Sequence, residues 1–222
     1  MRQETSMKGP ESQRRFNHSC RPNTEYFWNT EGEVWRQEVR TVRRVARGEE
    51  LTVCYRSFWP SARRERQELM KQYNFDCCCE GCHVTKEVEE KEANFCEEFR
   101  QANEKRLELK QKDHRSKEDL DLVVGCLKEM LRLSKEIPTI SLKNVLSIIA
   151  EEGYSACCQR FLSSRQASQL EHLQDRQLEE VEEFLTLGLQ LSSLLHGKDH
   201  SLTHLWRRRR EQPIQCFIND QI

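Results

Sequence analysis

The chain has 222 residues, enough for one or two domains with a real core, but at 36% hydrophobic and 33% charged it is polar for a globular protein, so much of its charge must lie on solvated helices. The net charge of -1 gives no global field toward nucleic acid or acidic lipid, because the basic run Arg207–Arg210 is offset by acidic pairs such as Glu179–Glu180 and Glu182–Glu183. No apolar run is long enough to cross a bilayer and no secretory core follows Met1, so the eleven cysteines are expected in a reducing compartment, cytoplasmic and/or nuclear, as metal ligands or buried thiols rather than disulfides.

In chain order, residues 26–55 read as strands: Tyr26–Trp28, Val34–Val42 and Leu51–Tyr55. The Arg47–Gly48–Glu49 step is a turn between the last two, with Gly48 supplying a positive φ. Composition changes near residue 83, after which the chain reads helical. Residues 86–118 predict a solvated helix with a narrow apolar stripe of Phe95, Phe99 and Ala102. Leu120, Val124, Leu127 and Leu131 recur at helical spacing, and Pro138 is expected to end their helix. Ser141 is the expected N-cap of the next, whose face is Leu142, Val145, Ile148 and Ile149. Leu178, Val181, Leu185 and Leu189 mark a further helix closed by Gly197. No strict repeat period is visible.

Cys77-x-Cys79-x2-Cys82 places three thiolates within six residues, too tight for a disulfide framework and suited to one tetrahedral zinc. Adjacent Cys77 and Cys78 point in different directions, so both are not expected on one ion. The fourth ligand comes from elsewhere: Cys20, His83 or His18, of which Cys20 keeps the donors uniform and would clip the early loop to residues 77–82. Cys54, Cys96, Cys126, Cys157, Cys158 and Cys216 read as buried or incidental thiols.

Three segments in order form a set: Arg15–Asn23 (RFNHSCRPN), Gly48–Tyr55 (GEELTVCY) and Tyr73–Cys82 (YNFDCCCEGC). Together they resemble the second half of a SET domain with its post-SET cysteine motif, nearest to the SMYD group of protein-lysine methyltransferases. The resemblance implies an α+β fold: the C-terminal half of a SET domain over 1–75, a post-SET zinc motif over 76–83 and a helical C-terminal region over 84–222 that walls a substrate cleft or recruits partners. It implies that Asn17, His18 and Phe75 bind S-adenosylmethionine, with Asn17 at the methionine end, the His18 backbone at the adenine edge and Phe75 on the adenine face. Tyr55 becomes the catalytic tyrosine of the lysine channel and Tyr73 another of its walls. Cys20, Cys77, Cys79 and Cys82 hold one structural zinc ion, and Cys78 is a bystander.

The residue types suit that chemistry. Methyl transfer from a sulfonium needs a neutral amine, yet free lysine has a pKa of about 10.4. An apolar aromatic channel disfavours the ammonium form and fixes the angle of approach. The implied partner is a protein carrying a target lysine, histone or non-histone, with no direct nucleic-acid or membrane binding. The family's Gly-rich turn around the methionine end of the donor does not appear before Asn17, so the expected donor site is half present and weak in this chain alone. The alternative function is a non-catalytic zinc-bearing interaction module; a nucleic-acid-binding finger is disfavoured by the near-neutral charge.

Overall fold

The computed structural model describes residues 16–29, 36–55, 60–112, 115–136, 143–165 and 171–220. Four short strands, β1 (Asn17–His18), β2 (Thr24–Asn29), β3 (Arg36–Thr41) and β4 (Thr52–Val53), precede helix α1 (Arg63–Met70) and a 3-10 turn at Lys71–Tyr73. Six helices follow: α2 (Lys86–Lys110), α3 (Lys117–Glu136), α4 (Lys143–Arg165), α5 (Glu171–Leu195), α6 (Ser201–Glu211) and α7 (Pro213–Asn219). This is the expected α+β arrangement, a small β-rich region followed by a helical region. No helix among the described residues is long and apolar enough to cross a membrane.

The strands form two small sheets. β2 and β3 pair antiparallel, from Thr24 opposite Thr41 to Asn29 opposite Arg36. β1 and β4 pair in parallel, Asn17 with Thr52 and His18 with Val53. The sheets are joined by one buried amide. Asn23 donates from Nδ2 to the Glu50 carbonyl (2.8 Å) and to the Glu49 carboxylate (2.9 Å), and its Oδ1 accepts the Thr52 N–H (2.9 Å). The neighbouring Thr24 hydroxyl donates to the Thr52 carbonyl. Gly48 has φ 84°, as the turn requires.

The last strand is shorter than its apolar run predicts. β4 stops at Val53 because the Tyr55 N–H goes to the His18 ring, at 3.2 Å to Nδ1, instead of to a ladder carbonyl. Val34, at the start of the predicted middle strand, lies outside the described residues, as do Pro138, Ser141 and Leu142.

The helical region is built on apolar faces. Leu120, Val124, Leu127 and Leu131 of α3 are all buried, as are Val145 and Ile149 of α4 and Val181 and Leu185 of α5. Ile148 is exposed instead, since at 3.6 residues per turn it stands roughly 100° around from Ile149. Leu178 is also exposed, at 39%. Each helix packs mainly on its neighbours in sequence, from α2 on α3 to α6 on α7, with α7 also reaching α4. The α4–α5 crossing is tight because Gly153 leaves room for Phe184: a Cβ there would stand 2.3 Å from that ring. α5 ends at Leu195, and Gly197, at φ 98°, turns the chain toward α6. That turn meets the β2–β3 hairpin, where Phe27 lies edge-on to His196 with ring centres 4.7 Å apart and Arg40 lies over Phe27.

Candidate active site and metal centre

The parallel pairing of β1 and β4 sets the first half of the site, because it brings residues 17–18 beside residues 52–55. The Tyr55 hydroxyl donates to the Phe16 carbonyl (2.9 Å), so both ends of Tyr55 are tied to the β1 segment. The second half arrives from the far side of α1. The 3-10 turn ends on Asn74 at φ 58°, a left-handed conformation that asparagine tolerates, and this reversal presents Tyr73 and Phe75 to the same place.

Four rings gather there. Tyr55 lies 5.2 Å from His18 and 5.2 Å from Tyr73 between ring centres, and Phe75 lies 5.9 Å from His18 and 6.4 Å from Tyr55, edge-on. Tyr55 and Phe75 are half-buried, while Tyr73 is exposed. Burial pushes the Tyr55 phenol above its usual range, with Tyr73 and Glu50 adding to the effect, so it stays protonated at neutral pH. Tyr26 of β2 is pushed up by burial too, with smaller effects from Cys54, Glu25 and Tyr73. Asn17 stands apart from the rings: its side chain is exposed and donates to the Glu50 carboxylate at 2.5 Å.

The thiols of Cys20, Cys77, Cys79 and Cys82 converge directly beneath, with all four sulfurs within 4.8 Å of one another. Cys20 Sγ is 3.5 Å from Cys82 Sγ and 4.0 Å from Cys77 Sγ, and the Cys20 N–H points at Cys79 Sγ. Four sulfurs each about 2.3 Å from a central zinc would be about 3.8 Å apart, so the observed spacing and the soft donor set both fit that ion. Contact with Cys20 holds Cys79 down at about 5, with Cys82 acting the same way. Cys78 is exposed and outside the group. Of the other two candidates for the fourth position, His83 is exposed, whereas the His18 Nε2 lies 3.4 Å from Cys20 Sγ, beside the group rather than in it. The ring cluster and the thiol cluster share a wall, since Phe75 packs against the buried cysteines.

Several residues that hold this arrangement were given no role in the motif reading, although Asn23 lies within the quoted Arg15–Asn23 segment. Gln67 of α1 clasps the backbone of Cys77 with both ends of its amide, donating to the carbonyl (2.6 Å) and accepting from the N–H (3.0 Å). Asn23 fixes β4 from the loop after Cys20. Arg66 and Glu92 form a fully buried ion pair under the cysteine loop. Glu92 stands seven residues before Phe99 on the buried face of α2, a position at which a charged residue is itself a signal of a buried partner.

Residues 2–56 match the family model of the SET domain. Over 75 residues the chain is 41% identical to the histone-lysine N-methyltransferase Smyd1 of Mus musculus, covering 30% of this chain and 15% of that protein. It is 44% identical over 72 residues to the protein-lysine N-methyltransferase SMYD4 of Mus musculus (31% of this chain, 8% of that protein) and 36% identical over 69 residues to the histone-lysine N-methyltransferase SMYD3 of Homo sapiens (31% and 15%). The chain thus spans a small part, 8–15%, of the length of these relatives. The family-model match takes in His18 and Tyr55 of the ring cluster, and the chain is similar over about a third of its length to SMYD-type SET-domain methyltransferases.

Proposed function

We propose that the chain carries part of the active site of an S-adenosylmethionine-dependent protein-lysine N-methyltransferase, with a structural zinc ion beneath it. One observation carries the reading: His18, Tyr55, Tyr73 and Phe75, drawn from three separate segments of the chain, form one partly buried aromatic cluster against the four thiols. The methyl donor supplies the sulfonium-bound methyl group. The chain's residues supply the rest. Phe75 and the backbone of His18 receive the adenine, and Asn17 lies toward the methionine end. Tyr55 and Tyr73 wall the lysine channel, where an apolar surround favours the neutral amine. The Tyr55 hydroxyl donates its proton to the Phe16 carbonyl, so its lone pairs face away from that bond and are available to weak C–H···O contacts from a polarised methyl group.

In this reading Cys20, Cys77, Cys79 and Cys82 hold the zinc and take no part in the transfer. Residues 1–75, 76–83 and 84–222 then divide into SET segment, post-SET motif and helical region. The substrate class is a protein with an accessible lysine.

Photolabelling with an azidoadenine analogue of S-adenosylmethionine tests the placement and registers weak binding as well as tight. Tryptic cleavage yields one peptide of residues 16–36, since the Arg21–Pro22 bond resists trypsin, and another of residues 72–86. The label is expected on those two and to be lost on adding excess unlabelled donor. Label elsewhere, or label that excess donor does not displace, overturns the assignment.

A further inference from the structure

The least exposed charged side chain among the described residues lies under the cysteine loop. Arg66 of α1 has no exposed surface, and its partner Glu92 of α2 is 3% exposed. Their contact is forked, Nη1 to Oε1 at 2.5 Å and Nη2 to Oε2 at 3.4 Å. Its two Nη groups have further donors, and these go to backbone. Nη2 donates to the Gly81 carbonyl at 2.8 Å and Nη1 to the Ser61 carbonyl at 2.5 Å. Gly81 is the residue between the Cys79 turn and the Cys82 thiol, so Arg66 grips the peptide that aims one sulfur of the set. Its charge also acts on Cys20 and Cys82.

A buried ion pair is a poor way to gain stability alone, because desolvating two ions costs about as much as their attraction returns. Its placement calls for a different account. From these contacts we infer that Arg66, oriented by Glu92, is a positioning residue of the metal centre: it fixes the Gly81 peptide so that Cys79 and Cys82 are held at ligand spacing, and it sets a cation beside a cluster of four thiolates. Four thiolates around one divalent ion would leave a net charge of two negative units in a buried place, which a fixed neighbouring cation offsets. Because Glu92 belongs to α2, the same contact ties the metal loop to the first helix of the C-terminal region.

This inference rests on the zinc reading of the four thiols. The experiment measures zinc content, the rate of zinc transfer to a chromophoric chelator, and the melting temperature, in the full chain and in the variants Arg66→Met, Arg66→Lys and Arg66→Met/Glu92→Met. Arg66→Met strands a buried carboxylate, so it is expected to lower the melting temperature and release zinc at least tenfold faster. The double variant replaces both ions with apolar chains of similar length and is expected to recover most of the melting temperature. Its zinc release is expected to stay about tenfold faster than wild type, in the range that outer-shell partners command. Arg66→Lys keeps a charge but not the fork, and is expected to fall between wild type and Arg66→Met. A double variant that melts normally and releases zinc at the wild-type rate overturns the inference, since Arg66 then serves the fold alone. A wild-type chain purified without metal, and unable to take it up, overturns the zinc reading and this inference with it.

Discussion

The two regions of this molecule are held together by different means. Between Phe99 and Phe217 the helices share one continuous core of buried Leu, Val, Ile, Met, Phe and Tyr. The N-terminal region and its cysteine loop have a buried cluster of only Cys20, Met70, Cys77 and Cys82, joined by Cys96 of α2. Where apolar area is scarce, directed bonds replace it: the amides of Asn23 and Gln67, the Arg66–Glu92 fork, and four sulfurs at metal-ligand spacing. An apolar core is redundant and tolerates the loss of one contact among many. A set of directed bonds is not, because each one removed leaves a buried donor or acceptor without a partner.

The sharpest way to break the comparison is to remove the metal. Structural zinc contributes on the order of 10–16 kcal/mol to small sites of this kind. If the four thiols hold one zinc as proposed, Cys79→Ser is expected to abolish its binding and expose the amides of residues 16–82 to hydrogen exchange, while α3–α6 stay protected. Cys78→Ser should keep one zinc per chain. Equal metal loss in the two variants would sink the ligand assignment, and uniform deprotection along the chain would sink the division into two differently held regions.

The mirror-image change is Phe184→Ala, which empties the space over Gly153 in the helical core. A loss of about 3–5 kcal/mol is expected from denaturant unfolding, with zinc content unchanged. Next in size is Asn23→Ala, which strands the Thr52 N–H and the Glu50 carbonyl and should cost about 2–3 kcal/mol in the N-terminal region. A cost below about half a kcal/mol would mean that water replaces the amide there. A smaller effect of opposite sign is expected from Gly125→Ala. That glycine lies inside α3 with nothing within 4 Å of a Cβ, so the change should add about 1 kcal/mol to the helical region.

The smallest effect is a pH dependence in the Gly48 turn. The Ala46 N–H, then Asn23 and Arg43, hold the Glu49 carboxyl down at about 2 in the folded chain. A depressed carboxyl favours the fold above its unfolded pKa of 4.5, and that contribution fades as pH falls from there through about 2. Chemical shifts of the Gly48 and Glu49 amides should report a midpoint near that lower value; a midpoint above 4 would show the carboxyl unpaired in solution.

The same contrast decides what could be read in advance. The helical faces were legible because burial there follows a 3.6-residue period in apolar side chains, and Val124, Leu127, Leu131 and Leu185 fall where that period puts them. Three of the four clustered cysteines were legible from local spacing, and the resemblance to the SET family singled out Cys20 as the fourth, which the fold does bring to them. The bonds that hold the N-terminal region were not legible. Asn23, Gln67 and Arg66 are residue types that usually face water, and no period marks the few that do not; Glu92 is marked only by its seven-residue spacing from Phe99. The run of Glu, Lys and Arg in α2 reads as a solvated helix, and most of it is; Glu92 and Arg106 are the exceptions, buried on the Phe99 face. The end of β4 was missed for a related reason, since it is set by the His18 imidazole and not by the apolar run Leu51–Tyr55.

The pairing of Cys20 with Cys82 spans 62 positions, whereas each helix from α2 onward finds its main partner next to it in the chain. During synthesis at about 5–20 residues per second, roughly 3–12 s separate the appearance of the first thiol from that of the last, before any ion can be enclosed. Cys20 passes that interval as an accessible thiol on a segment with almost no core to shelter it. The early part of the chain thus cannot close until Cys82 has emerged, and its yield should depend on zinc supply during translation more than on the helices, which assemble one after another as they emerge later.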